Sequence, residues 1–334
     1  MNAEVLFENY GLKPYVFFSF SGYPAFQDHL VLYLVIEVFE KDEQELYERF
    51  LLTEHLRSRH EPFVPSFVPN KEGNYISRMD DRFYLLLKLE QWQRETQVLT
   101  GAELARFHYH GFHFSGEISS LNRLGRWQEY WEVRLTQLEK MHEKVLRTDL
   151  ATKFDESFVL SFPYYAGLAE NALQYFTDTI LDTPLGTFDR GTICHERFNA
   201  NTWSEKSLWK NPFDWVFDHP ARDLAEYIRP FILQEGAGLQ HALTFLKEYQ
   251  TYLPLSSMTW RLLYSRLLFP IHYFEIVEDY YFYPEKKEKE VLFNRLQRYL
   301  AISEKYERIL GDFQRIFDVS IERTDLPIPE WLVK

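Results

Sequence analysis

Over the first 90 residues the spacing of apolar positions changes twice. Tyr15 to Phe20 and Leu30 to Phe39 are runs of β-branched and aromatic residues, which predicts two strands. Between them Ser21-Gly22-Tyr23-Pro24 reads as a turn. From Lys41 to His60 the apolar residues move to helical spacing. Leu46, Phe50, Leu51 and Leu56 mark one face, and Pro62, Pro65 and Pro69 end the helix. Asn74 to Met79 and Arg82 to Leu89 then form a predicted hairpin across Asp80-Asp81. The order is strand, strand, helix, strand, strand.

After Glu90 the pattern is mainly helical. The spacing predicts helices over Leu99 to His108, Ser119 to Arg147, Tyr164 to Leu181, Ala221 to Phe231, Leu239 to Tyr249, Ser257 to Tyr273 and Glu288 to Ile316. A strand-and-loop island interrupts them from Gly191 to Pro220. No internal repeat or low-complexity tract is present, and Pro284 to Glu290 (PEKKEKE) reads as a solvated helix start.

Composition narrows the function. The 334 residues carry 37 Lys+Arg against 50 Asp+Glu, a net charge of −13. That balance argues against nucleic acid, whose binding needs a basic footprint, and against an anionic membrane surface. Apolar residues make up 46% of the chain, enough for a sizeable core. With 29 Phe, 22 Tyr and 8 Trp, some aromatics are available for interfaces. Glycine is scarce, at 13 residues, so there is little material for phosphate-cradling loops. One cysteine, Cys194, cannot form an intrachain disulfide and reads as an inert core thiol. The start Met1-Asn2-Ala3-Glu4 has no signal-peptide pattern, and no apolar run is long enough for a membrane span. A soluble chain made in a cytoplasm is expected.

Three stretches carry a resemblance. Pro65 to Glu90 (PSFVPNKEGNYISRMDDRFYLLLKLE) is similar to the strands that lead to the inter-lobe hinge of the aminoglycoside phosphotransferase and choline kinase group. Leu99 to His108 (LTGAELARFH) resembles the short helix that opens the large lobe there. Thr192 to Trp203 (TICHERFNANTW) resembles the catalytic loop, and PFDWVFDHPARDLAEYIR, from Pro212, resembles the metal-binding strand and the helix after it. Within this group the chain is identified as a member of the CotS/YutH family of spore coat-associated proteins from endospore-forming bacilli.

The resemblance implies an α+β, two-lobed, protein-kinase-like fold. Residues 1–91 would be a lobe of antiparallel strands with one helix, and 92–334 a helical lobe, with Trp92 near the hinge. It places a degenerate catalytic loop at 192–203 and a metal-strand-like segment at 212–218. Phosphoryl transfer needs a phosphate loop, a strand lysine, a catalytic base, and Mg²⁺ ligands. The phosphate loop is expected near Phe7 to Tyr15, where only Gly11 is available. The lysine is expected near Val35 or Ile36, neither cationic, with the anionic Glu37 beside them. The base position falls on Arg197, which accepts no proton. The loop Asn falls on Thr202, with Asn201 one position early. Asp214 alone matches a metal ligand.

The resemblance therefore implies a non-catalytic kinase-like protein of the spore coat, made in the mother-cell cytoplasm and acting through other coat proteins, with no cofactor. The alternatives are a small-molecule phosphotransferase using ATP and Mg²⁺, or a nucleotide sensor without turnover. The family pattern gives His195 and Asp223 structural roles: His195 bracing its loop by hydrogen bonds to backbone carbonyls, and Asp223 buried near the loop. Arg197 is expected to pair with Asp214 or Asp218. Glu43, Glu45 and Glu48 have no lysine partner on Leu30 to Phe39, so no buried ion pair is expected there. Outside this pattern, His108, His110 and His113 fall within six residues and suit zinc only if they share one strand face; Gly111 favours a loop. His195-Glu196 lacks the second histidine of a zinc hydrolase.

Overall fold

The computed structural model describes residues 3–13, 16–39, 42–79, 82–90, 99–148, 151–203, 209–234, 237–283, 288–319 and 326–333. The chain divides into two compact units. The first holds Met1–Asn122, Gly191–Asp223 and Glu248–Leu253; the second holds Arg123–Arg190, Leu224–Lys247 and Pro254–Lys334.

The first unit opens on α1 (Ala3–Tyr10) and continues as an antiparallel sheet of β1 (Phe17–Phe20), β2 (Tyr23–Asp28), β3 (Val31–Val38), β4 (Ser66–Val68), β5 (Ile76–Met79) and β6 (Arg82–Leu89). The strand order is β1-β2-β3-β6-β4, with β5 also paired to β6. The helix α2 (Glu43–Ser58) lies between β3 and β4 in the chain. Because strand side chains alternate, β3 and β6 feed two cores. Leu32, Leu34 and Ile36 join Leu85, Leu87 and Leu89 on the face that packs with Leu46 of α2. Tyr33, Val35 and Leu86 join Leu6 of α1 on the other face.

The N-terminal expectations are corrected here. The turn between the first two strands is only Ser21-Gly22, at φ 51° and 85°, the left-handed pair that a two-residue hairpin turn requires. Tyr23 and Pro24 already belong to β2. Pro24 is tolerated because it faces Ser19 of β1, while the β2–β3 register starts one residue later, at Ala25↔Leu34. Of the expected phosphate loop at Phe7 to Tyr15, residues 7–10 lie on α1, and the β1–β2 connection is far shorter. Val35 faces α1; the face towards α2 is carried by Leu34 and Ile36. Tyr15, Lys41, Asp80-Asp81 and Trp92 lie outside the described residues.

The helix α3 (Gly101–Gly111) is capped by Thr100, whose side chain accepts the Glu103 N–H. The predicted helix from Ser119 begins instead at Trp127, as α4 (Trp127–Leu146). The cause is Glu48 of α2. Its buried carboxylate accepts the N–H groups of Ser119, Ser120 and Leu121 at 2.8–3.0 Å and the Ser119 hydroxyl at 2.8 Å. Those donors are then unavailable to a helix, and Gly125 at φ 76° ends the turn. Burial pushes the Glu48 carboxyl up, but Gln44 and these N–H groups outweigh it and hold it at about 2.

In the second unit α5 (Lys153–Asp182) starts eleven residues before the expected helix, at a Thr152–Asp155 capping box, and runs through Pro163. The proline removes the donor to Val159 O, and His142 of α4 donates there instead, at 3.2 Å. After α5 the chain passes through β7 (Thr192–His195) and β8 (Trp215–Asp218), which belong to the first unit, and continues as α6 (Ala221–Leu233) and α7 (Ala237–Tyr252). The expected helix Ser257 to Tyr273 is divided at Phe269-Pro270 into α8 (Ser257–Leu268) and α9 (Ile271–Tyr281), followed by α10 (Lys289–Gly311) and α11 (Phe313–Ile316). Aromatic contacts fill this unit, such as Trp131 stacked on Phe269 at 4.6 Å.

Glu48→Ala removes the acceptor of three backbone N–H groups. Each unsatisfied buried group costs about 1–3 kcal/mol, so the substitution is expected to lower unfolding free energy by about 3 kcal/mol or more. Urea denaturation measures this; a loss below about 1 kcal/mol would show that the loop finds other acceptors.

Candidate functional site

The strands β7 and β8 pair antiparallel, with Thr192 opposite Asp218 and His195 opposite Trp215. All four β7 residues are buried. The end of α3 lies directly on them: a Cβ at Gly111 would meet Thr192 Oγ1 at 2.3 Å and Ile193 N at 2.6 Å, so only glycine fits. Thr192 Oγ1 donates to His108 O at 2.8 Å. The loop Glu196–Trp203 leaves β7, and a single 3-10 turn, Pro212–Asp214, leads into β8.

Asp223, in the first turn of α6, is fully buried behind the loop. Its Oδ1 accepts the His195 N–H at 2.9 Å, and its Oδ2 accepts from His195 Nδ1 at 2.7 Å and His108 Nε2 at 3.2 Å. His108 Nδ1 contacts the Tyr249 hydroxyl at 2.8 Å. Burial pushes the Asp223 carboxyl up, but the His195 charge and the two histidine hydrogen bonds outweigh it and hold it well below its usual range. Burial pushes the His108 imidazole down. The bracing expected of His195 is therefore corrected in kind: its ring bonds a carboxylate, and its carbonyl accepts from Arg222 Nε at 2.9 Å. Rings of Phe107, Phe198 and Trp203 lie 4.8–5.2 Å from the imidazole.

Arg222 also donates to Asp218 Oδ2 at 2.9 Å and to Glu196 O at 3.2 Å. The cation held on Asp218 in this way is Arg222, while Arg197 is exposed on the loop with its carbonyl facing Thr202 Oγ1. Asn199 and Thr202 close a small turn on themselves: Thr202 Oγ1 accepts Asn199 N–H, and Asn199 Oδ1 accepts Asn201 N–H, both at 2.9 Å. Asp214 is half-buried. Burial raises its carboxyl above the usual value, while His195, Asn211 and Arg49 act in the opposite direction. The guanidinium whose field reaches Asp214 from α2 is that of Arg49.

Arg49 is the residue that sequence reasoning missed. It is buried, donates to Pro212 O and to Trp215 O at 3.3 Å, and lies 5.3 Å from the Phe213 ring. Its other side holds Glu45, one helical turn back. The segment it pins presents Trp209, 1% exposed, and Phe213 to the apolar face of β3 and β6. Tyr23 of β2 meets Trp209 edge-on at 5.7 Å. Lys210, also buried, points the other way. It bonds Glu61 and lies 4.4 Å from the Trp203 ring. Its N–H donates to Phe63 O at 2.9 Å. Burial works against the Glu61 charge, but His110, Lys210 and Arg106 hold that carboxyl at about 2. The one clue in the sequence was a lysine inside an aromatic run, Trp209-Lys210-Asn211-Pro212-Phe213.

The three histidines considered for zinc diverge. His108 and His110 lie on α3, which extends to Gly111, so the expected loop is helix up to that residue. His108 turns to Asp223, His110 to Glu61 Oε2 at 2.7 Å, and His113 to Tyr109 O. Ligand atoms of His108, Cys194 and Asp223 lie within 4.8 Å of one another. They are already engaged: both His108 nitrogens and both Asp223 oxygens in the contacts above, and the Cys194 thiol on the carbonyls of Asp218 and His219.

A strand–loop–strand backed by a buried aspartate, beside an antiparallel sheet with one inserted helix, gives the chain a kinase-like fold. The chain is similar to the aminoglycoside phosphotransferase from Alicyclobacillus acidocaldarius, with a TM-score of 0.70 over 95% of this chain and 97% of that one, at 14% identity. It is also similar to a spectinomycin phosphotransferase solved with ADP and spectinomycin, with a TM-score of 0.56 over 90% and 93% of the two chains, at 12% identity. These likenesses establish the kinase-like fold.

The family described as "Spore coat putative kinase YutH" matches residues 3–313. The endospore coat-associated protein YutH of Bacillus subtilis (strain 168) is 40% identical over 313 residues, which cover 93% of this chain and 92% of that protein. The chain belongs to the YutH spore coat family. Among the described residues no helix is long and apolar enough to cross a membrane.

The buried carboxylates predict the acid response. Glu48 and Glu61 titrate at about 2 against an ordinary 4.5. Their contribution is present above about pH 4.5 and is lost as pH falls towards 2. His108 is lowered from an ordinary 6.5, so protonation of the unfolded chain removes stability as pH falls below about 6.5. Urea unfolding free energy should therefore decline from pH 7.5 to 5.5 and more steeply below 4.5. A flat profile down to pH 3.5 would contradict the buried ionic assignments.

Proposed function

We propose that the chain is a non-catalytic, kinase-like component of the bacterial endospore coat that works through contacts with other coat proteins. In this reading residues 1–91 and 92–334 keep the two-lobed division of the phosphotransferases, but the site has lost its chemistry. The observation that carries it is Trp209. The sheet face that meets a nucleotide in a phosphotransferase is here an apolar surface of Leu32, Leu34, Leu87 and Leu89, and Trp209 is packed into it.

Four further observations support the reading. The β1–β2 connection is the two-residue turn Ser21-Gly22, and phosphate cradling uses several consecutive backbone N–H groups. The strand β3 carries no lysine, and Glu48 of α2 is committed to the loop at 119–121. Arg197, at the base position, accepts no proton. Around Asp214 the donor set fits Mg²⁺ poorly, since that ion asks for several oxygen ligands in octahedral array. Asp214 is hydrogen-bonded by Asn211 and feels the Arg49 charge, and Thr202 Oγ1 is used within its own turn. The coat role rests on family membership and on the 40% identical relative described as endospore coat-associated. The kinase alternative rests on the fold and on Asp214 alone.

Wild-type protein is expected to transfer no phosphoryl group from MgATP to small amino or hydroxyl compounds, and MgATP should leave its melting temperature unchanged. Binding at 100 times Kd would stabilise by about 2.7 kcal/mol and be plainly visible. Arg197→Asp should remain inactive, because the phosphate loop, lysine and amide ligand are missing as well. Turnover that Asp214→Ala abolishes would establish the kinase reading instead. A reproducible upward melting shift without turnover would establish the nucleotide sensor.

A further inference from the structure

Glu43, Leu46, Tyr47 and Phe50 follow one another at helical spacing and share a face of α2. That face, with Phe67 of β4 and Tyr75 before β5, lines a cavity of about 440 Å³. Three rings form a continuous aromatic wall: Phe50 lies 5.6 Å from Phe67 and 4.9 Å from Tyr75, and Phe67 lies 6.3 Å from Tyr75. Tyr47 is 57% exposed and Tyr75 40%, so much aromatic surface faces solvent.

The polar rim selects among occupants. Glu43 is exposed in the first turn of α2, and among the described residues its carboxylate joins no ion pair. No lysine or arginine of the described chain lies over Tyr47, Phe50, Phe67 or Tyr75. Aromatic faces are the negative part of the ring quadrupole, and a carboxylate beside them adds full charge. A purely aliphatic anchor would gain nothing from Glu43, and an acidic one would be repelled. The net charge of −13 also favours encounter with basic partners.

We propose that this cavity is a docking site for a lysine or arginine side chain, flanked by an apolar residue, on a basic segment of a partner polypeptide. The cation lies against the faces of Tyr47 and Tyr75 with Glu43 as its counter-charge, and the neighbouring apolar side chain covers Phe50 and Phe67. The site is separate from the residues around Asp214 and stands whether or not those residues bind nucleotide.

Fluorine NMR on the full-length chain labelled with 3-fluorotyrosine tests this, with Tyr47→Phe and Tyr75→Phe assigning the two resonances. The probes are acetyl-Gly-Leu-Arg-Phe-Gly-amide, the same peptide with Glu for Arg, and tetramethylammonium chloride. The arginine peptide is expected to shift the Tyr47 and Tyr75 signals saturably, and the glutamate peptide to leave them unchanged. Glu43→Gln, with an unaltered spectrum before titration, should weaken binding about fivefold or more, and Tyr75→Leu about tenfold; Tyr75→Phe should stay within about twofold. Three results would overturn the proposal: no shift at about 20 mM peptide, equal response to both peptides, or an unaffected Glu43→Gln. Tetramethylammonium binding as tightly as the arginine peptide would assign a small-cation site and overturn the polypeptide partner.

Discussion

Arg49 cannot lose its charge, and α2 carries it into the interior. Its donors must therefore find oxygen inside the protein, and they find it on the carbonyls of Pro212 and Trp215 and on Glu45. Breaking these bonds would leave a buried cation unpaired, which is far more costly than any surface ion pair. The consequence is geometric. The chain from Trp209 to Trp215 is held against the sheet, so Trp209 enters the β3–β6 core and Phe213 closes over it. The same tether sets the start of β8, and with it the register that brings His195 opposite Trp215.

Charge is handled alike elsewhere in this unit. Glu48, Glu61 and Asp223 are each fully or nearly inaccessible to solvent, and each is surrounded by donors from distant parts of the chain. A phosphotransferase uses such carboxylates and cations on a metal and on phosphates. Here Glu48 binds backbone N–H groups at 119–121, Lys210 goes to Glu61, and Arg49 to carbonyls. These groups cross-link segments far apart in sequence. A kinase-like fold can keep its shape in this way while its sheet face fills with apolar side chains.

The parts of this arrangement that were legible in the sequence are those written in contiguous residues. The catalytic-loop likeness at 192–203 and the Asp-Trp…Arg-Asp-Leu-Ala stretch at 214–225 each occupy about a dozen positions. The face of α2 was visible in Leu46, Phe50 and Leu56. What was hidden depends on partners remote in the chain. The commitment of Glu48 to residues more than 70 positions away has no local signature, nor do the carbonyls that Arg49 meets 163 and 166 positions on. Pro24 suggested a loop where β2 tolerates it at a register end. The helix expected from Tyr164 in fact runs back through Pro163, where His142 repairs the lost hydrogen bond. The strand lysine was sought at Val35 or Ile36, and these neighbours lie on opposite faces of β3, Ile36 towards α2 and Val35 towards α1.

The central claim is that Trp209 fills the sheet face where a nucleotide would otherwise bind. Fluorine NMR on 5-fluorotryptophan protein, with Trp209→Phe identifying the resonance, addresses it directly. MgATP and MgADP titrated into the millimolar range should leave the Trp209 signal unmoved, with the shift of a buried, slowly exchanging indole. A saturable displacement of that signal, or its movement to a solvent-exposed position as nucleotide is added, would mean that the segment yields to a ligand. The account of a closed, non-catalytic site would then be wrong.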